Sequence, residues 1–178
     1  MSGHSKWSQI KHKKGVTDQK RGVVFSKLLN ALSIAARQEP NPDFNPRLRS
    51  AVEKAKMANV PNDNIERAIN KAEDVTNLEE MLIEAYGPEG VALIIETISD
   101  SKNRTMQEVK QILSAHGGKM AQMGAVMWSF DGSASSPQGL KPKYSPTITL
   151  EAKSKNEELV SALEDQDDVQ RVITNINP

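Results

Sequence analysis

Residues 86–98 read YGPEGVALIIETI, and how they are read decides the fold of the second half of the chain. Gly87-Pro88-Glu89-Gly90 is a turn signal, because proline presets its own φ and glycine accepts backbone angles that other residues avoid. The run from Val91 to Ile98 is apolar and β-branched, the composition of a buried strand. Met81 to Tyr86, ahead of the turn, reads as another strand. Behind the run, Thr105 and Glu108 have capping-box spacing, and Met106, Val109, Ile112 and Leu113 form an apolar helical stripe that Gly117-Gly118 ends. Ala125 to Phe130 reads as a strand containing Trp128. With Phe130 two residues on, the spacing places both rings on one face, in the core. Thr147 to Glu151 alternates, with Ile148 and Leu150 on one side. Ser154 and Glu157 are spaced to cap a last helix bearing Leu159, Val160 and Leu163, and Val169 to Thr174 closes as a strand.

The order strand, helix, strand, strand, helix, strand is the ferredoxin-like βαββαβ plan, here with an extra N-terminal strand. Its crossovers put two helices on one face of an antiparallel sheet. Residues 131–146, DGSASSPQGLKPKYSP, fit that plan poorly, being long for a connection between two strands.

Upstream of Val75 the pattern is helical. Thr17 reads as a helix cap with Asp18 in the first turn, and Val24, Phe25, Leu28, Leu29, Leu32, Ala35 and Ala36 make one apolar face to about Gln38. Lys20, Arg21 and Lys27 lie near its start. Pro40, Pro42 and Pro46 interrupt the chain. Asn45-Pro46 then opens a second helix as N-cap and first residue, with Leu48, Val52 and Ala55 inward and Arg47, Arg49, Lys54 and Lys56 outward. A third helix follows Pro61, with Asp63 and Glu66 spaced as a capping box and Ile65, Ala68, Ile69 and Ala72 as its stripe. The expectation is an α+β protein: residues 1–75 a basic arm and three-helix bundle, residues 76–178 a ferredoxin-like domain.

The arm is Gly3 to Lys14, GHSKWSQIKHKK, with four lysines, two histidines, one tryptophan and no acid. Lysines neutralise phosphates, and an indole stacks on a base or fills a pocket. The formal net charge of zero hides a polarity. Residues 1–75 hold 14 Lys+Arg against 8 Asp+Glu, and the remainder holds 9 against 15. One basic half points to a polyanion partner at one end only. The absence of cysteine rules out disulfides, thiolate metal sites and thiol nucleophiles, and suits a reducing cytoplasm. No secretory leader is read at the N-terminus, and the longest apolar run, Val91 to Ile95, is too short to span a bilayer, so no membrane partner is expected.

Several of these stretches together resemble the YebC/PmpR family: GHSKW at 3–7, IKHKK at 10–14, Lys20-Arg21, NPRLR at 45–49, KAK at 54–56 and DNIERAI at 63–69. The second half adds YGPEGVAL at 86–93, Asn103-Arg104-Thr105, His116-Gly117-Gly118, and Trp128 with Phe130. The family comprises bacterial gene-expression regulators and a mitochondrial translational activator. The resemblance implies its fold and a regulatory role, described for members both as DNA-binding transcriptional control and as translation factors on stalled ribosomes. Members usually insert a third domain after the strand holding Trp128. Here the 131–146 segment stands at that point, so the chain resembles a short form.

The expected nucleic-acid-binding residues are Lys6, Lys11, Lys13, Lys14, Lys20 and Arg21, with Trp7 stacking and His12 a polar contact. Arg47, Arg49, Lys54 and Lys56 form a second group. His4 and His12, eight apart with no carboxylate nearby, do not make a metal site. Glu164, Asp165, Asp167 and Asp168 lack calcium-loop spacing and read as a solvated acidic turn. His116 suits a helix C-terminus. No nucleophile with a base, phosphate loop or paired catalytic carboxylates is apparent. The reading is therefore a non-enzymatic regulator of gene expression without cofactor or metal. It is cytoplasmic and acts on ribosomal RNA or the ribosome. The alternatives are DNA-binding transcriptional control, or a ligand-sensing or protein-docking module.

Overall fold

The computed structural model describes residues 18–75, 77–132 and 139–176. The chain divides into two compact units, Met1–Thr76 and Asn77–Asn177.

The first unit is helical. α1 spans Asp18–Ala36, α2 Pro46–Met57 and α3 Asn62–Asn70. The apolar stripes meet as their spacing requires: Leu28, Leu32, Ala35, Leu48, Ala55 and Ile65 are all buried in one cluster. Asn45 caps α2, its Oδ1 accepting the Leu48 amide at 3.0 Å, and Pro46 follows as the first helical residue. The other side of the same amide group donates to the Ala35 and Glu39 carbonyls at 2.8 and 2.7 Å. One side chain thus satisfies the end of α1 and the start of α2 together. The start of α3 differs from expectation. Its N-cap is Pro61, no side chain caps it, and Asp63 already lies inside its first turn. Asp63 and Glu66 therefore make no capping box; Asp63 instead faces the helix dipole favourably.

The second unit is built on an antiparallel sheet, so the α+β class holds. β1 is Glu79–Tyr86, β2 Ala92–Ser99, β3 Lys119–Met120 and β6 Val169–Thr174, in spatial order β3-β1-β2-β6. β1 and β2 pair from Glu79 opposite Ser99 to Tyr86 opposite Ala92. β2 and β3 both run antiparallel to β1, hence parallel to each other, with α4 (Lys102–Ala115) as the crossover between them. This is the split βαβ arrangement. The strand expected as an N-terminal extra, β1, is an interior strand of the sheet.

α4 and α5 (Leu150–Asp165) cover one face. Val109, Leu113, Leu159 and Leu163 pack there on Ile83, Ala85, Leu93 and Ile95. Ala92 and Ile94 point to the opposite face, where Val126, Phe130 and Leu140 bury them. Cover on both faces explains why β2 is apolar without alternation. At the turn, Gly87 is required by close approach, since a Cβ there would collide with Asn156 Oδ1 on α5.

Further expectations are corrected. Residues 125–130 are not a strand: Met127–Ser129 is a 3-10 turn, followed by β4, Phe130–Asp131. Trp128 does not share Phe130's burial; it is 63% exposed against 5%. Residues 147–151 are not a strand either. Thr149 is the N-cap of α5, its side chain accepting the Ala152 amide at 3.1 Å, so Ser154 and Glu157 lie inside the helix. Thr105 is likewise internal, because α4 begins at Lys102 behind Ser101. Finally, the two ends of the 131–146 segment are tied together, β4 pairing with β5 (Lys141–Pro142) and Leu140 entering the core.

Candidate nucleic-acid interface

Of the expected binding group, Lys6, Trp7, Lys11, His12, Lys13 and Lys14 lie outside the described residues. Lys20 and Arg21 sit in the first turns of α1, and both are exposed. Lys27 does not extend this surface, being only 4% exposed.

Arg47, Arg49, Lys54 and Lys56 are all exposed on α2. At about 100° per residue, positions seven apart nearly coincide, so Arg47 and Lys54 follow one flank of the helix and Arg49 and Lys56 another. Glu53, also exposed, lies between the flanks. The structure thus splits the expected group into two pairs. Arg49 also holds the backbone in place. Its Nε and Nη2 donate to the Pro42 and Asp43 carbonyls at 3.2 and 2.8 Å, closing the turn before α2. Lys54 and Lys56 occupy the last turn, where they complement the helix dipole.

Sequence reasoning did not foresee what gathers around Trp128. Its indole Nε1 donates to the Ala125 carbonyl at 2.8 Å, and the Tyr86 hydroxyl donates to the same oxygen at 3.0 Å. The Trp128 and Tyr144 ring centroids are 5.6 Å apart at 44°. Lys143 Nζ lies 5.5 Å from the Tyr144 centroid and Lys119 Nζ 5.8 Å from that of Tyr86. The turn carrying Trp128 is held by a buried carboxylate: Glu84 accepts the amides of Gly124, Val126 and Met127 at 2.5, 2.7 and 3.2 Å. The alternation of bases and an aromatic in KPKY, residues 141–144, was the available signal.

Asp168, expected in a solvated acidic turn, is instead the centre of a buried network. Its Oδ2 accepts from Thr105 Oγ1 at 2.6 Å, Ser99 Oγ at 3.2 Å and Arg104 Nη2 at 3.0 Å. Burial alone would raise its carboxyl, but the Thr105 and Arg104 hydrogen bonds, the Arg104 charge and Gln166 outweigh that and hold it below the usual aspartate range. The network joins the end of β2, the start of α4 and the approach to β6, and its donors are used internally. His116 Nδ1 lies 2.9 Å from the Ile112 carbonyl at the end of α4. Among the described residues no group of three or more His, Cys, Asp or Glu side chains is placed to hold a metal ion, and no helix is long and apolar enough to cross a membrane.

Comparison with known proteins bears on both units. A family model described as the TACO1/YebC protein N-terminal domain matches residues 5–75, and one described as the TACO1/YebC second and third domain matches residues 78–135. A probable transcriptional regulatory protein of Petrotoga mobilis is 53% identical over 135 residues, covering 74% of this chain and 54% of that protein. One from Pseudothermotoga lettingae is 42% identical over 180 residues, covering 98% of this chain and 70% of that protein. The chain spans about half the length of several curated relatives it matches, 54–56%. The crystal structure of a conserved hypothetical protein, Aq1575 from Aquifex aeolicus, is similar with a TM-score of 0.81 and 33% identity over 97% of each chain.

Proposed function

The chain belongs to the TACO1/YebC family, and from that premise we propose that it is a non-enzymatic regulator of gene expression that binds nucleic acid in the cytoplasm, acting on ribosomal RNA or the ribosome. The observation that carries the reading is the exposed Lys20-Arg21 pair, which follows the lysines at 6, 11, 13 and 14 in a unit of net charge +6. Lysines of this kind neutralise phosphate without reading bases, which suits an irregular RNA surface. α3, the helix that would follow the turn in a helix-turn-helix, exposes Asp63 and Glu66 beside Arg67 and would repel a phosphate backbone.

The second reading is DNA-binding transcriptional control, favoured by the names of the relatives. The two separate in a direct competition. The intact chain is titrated against a ribosomal RNA fragment and a duplex DNA of equal length, across a salt series. With about six phosphates engaged, affinity for the preferred target falls roughly a thousandfold between ~50 and ~200 mM salt. Preference for the duplex would replace the ribosomal reading with the transcriptional one. An affinity that survives replacement of Lys6, Lys11, Lys13 and Lys14 by glutamate would end both.

A further inference from the structure

We propose that Trp128, Tyr144 and Lys143 form a second binding site, in the sheet unit, that takes an unpaired base and its phosphate from a single-stranded stretch of nucleic acid. The proposal rests on the nucleic-acid-binding reading and adds to it a site apart from the basic arm.

Aromatics make up only 4% of the chain, with two tryptophans and two tyrosines in total. Both tyrosines and Trp128 are nevertheless neighbours, joined through the Ala125 carbonyl and the Trp128–Tyr144 ring contact. Trp128 and Tyr144 are 63% and 54% exposed, so neither ring has both faces covered. An open indole costs solubility and contributes little to this core, which Phe130 and Val126 fill.

The rings are also held in place before any ligand arrives. The indole N–H is satisfied within the protein by Ala125, and the turn beneath it hangs on three amides bound by Glu84. Tyr144 is fixed through its backbone: its amide donates to the Ser129 carbonyl at 3.2 Å, and its own carbonyl accepts Asn175 Nδ2 at 2.9 Å. A platform immobilised in advance loses little entropy when a flat ligand stacks on it.

The charge around the rings selects the ligand. Lysines flank the cluster at both ends, Lys143 beside Tyr144 and Lys119 beside Tyr86. Protein interfaces are enriched in Trp and Tyr but depleted in Lys, whereas single-strand binders combine stacking rings with cations along the backbone path. Asp131, 3.9 Å from Lys143 Nζ, offsets part of that charge. Bases inside a duplex are stacked on one another and cannot reach such a platform, so the site discriminates single strands.

The test uses the intact 178-residue chain carrying Trp7→Phe, in which Trp128 is the single tryptophan. The probes are a 12-nucleotide oligoadenylate RNA and an RNA duplex of equal length. The single strand should quench Trp128 emission at saturation. Trp128→Ala should weaken single-strand binding by about fivefold to a hundredfold, the range for one stacked base, and leave the duplex unaffected. Trp128→Phe should restore most of that loss, and Asp131→Asn should tighten single-strand binding. Saturation without quenching, or an unchanged affinity in Trp128→Ala, overturns the site and leaves the arm reading standing. Equal weakening of duplex and single strand overturns it too, as does a Trp128→Ala variant that keeps RNA but loses a protein partner. Failure of the unsubstituted chain to bind either probe removes both proposals.

Discussion

The helical unit and the sheet unit bury different kinds of core. In the first, alanines at 35, 36, 55 and 72 supply much of the buried set beside Leu28, Leu32, Leu48, Val60 and Ile65. In the second, Val91, Leu93, Ile95, Leu113, Leu159 and Leu163 dominate one face of a sheet whose other face is covered as well. Each buried methylene contributes about 0.8 kcal/mol, so alanine-lined helices gain less per residue than leucine- and isoleucine-lined strands. The sheet unit buries large side chains on both faces of its sheet, whereas the helical unit is lined by smaller ones and carries the surplus of basic charge.

Substitutions in each unit test that contrast. The largest effect is expected from Leu93→Ala, fully buried in β2, which should cost about 2–5 kcal/mol and release amide protection across 77–176. Equal loss of protection over 18–75, followed by hydrogen exchange, would show that the units do not stand separately. Asp168→Ala should cost about 2–3 kcal/mol by stranding Thr105, Ser99 and Arg104. This network also sets a pH dependence. The folded Asp168 carboxyl titrates lower than the unfolded one, so its contribution is complete above about pH 4 and is lost as pH falls through the folded value. Urea midpoints between pH 6 and pH 2.5 should therefore converge for wild type and Asp168→Asn at the acid end. A constant gap would contradict the assignment.

In the helical unit, Asn45→Ala should cost about 1–2 kcal/mol, with exchange rising at the end of α1 and the start of α2 only. A change confined to α2 would mean the bonds to Ala35 and Glu39 contribute nothing. The smallest effect is expected at Glu89, exposed at the turn, whose carboxylate accepts the Thr149 amide and hydroxyl at 2.9 and 2.8 Å. Those bonds lower its pKa. Glu89→Gln should fray only the first turn of α5, seen as faster exchange at 149–153, with global stability nearly unchanged.

Stripes and breakers carried the sequence reading a long way. α1, α2 and β2 follow from apolar spacing, Asn45-Pro46 and the Gly87–Gly90 turn, all signals contained within a few residues. The misreadings share one cause. Thr105 with Glu108 looks like a cap, but the Thr105 hydroxyl bonds a carboxylate 63 residues away. Trp-Ser-Phe alternates like a strand, but Glu84, some 40 residues upstream, draws the preceding amides into a turn and leaves Trp128 outside. Among the basic residues neither burial nor engagement was legible, since Lys27 is buried and Arg49 is held on carbonyls.

Composition, short-range periodicity and contiguous motifs were enough for the helical and sheet-bearing halves, the charge polarity between them and the family, because all of these are local along the chain. That β1 lies inside the sheet, that Asp168 is a buried anchor and that Trp128 meets Tyr144 in solvent follows only from the folded chain. Each of those depends on a partner distant along the chain, and a polar or aromatic side chain takes its role from whichever partner folding brings to it.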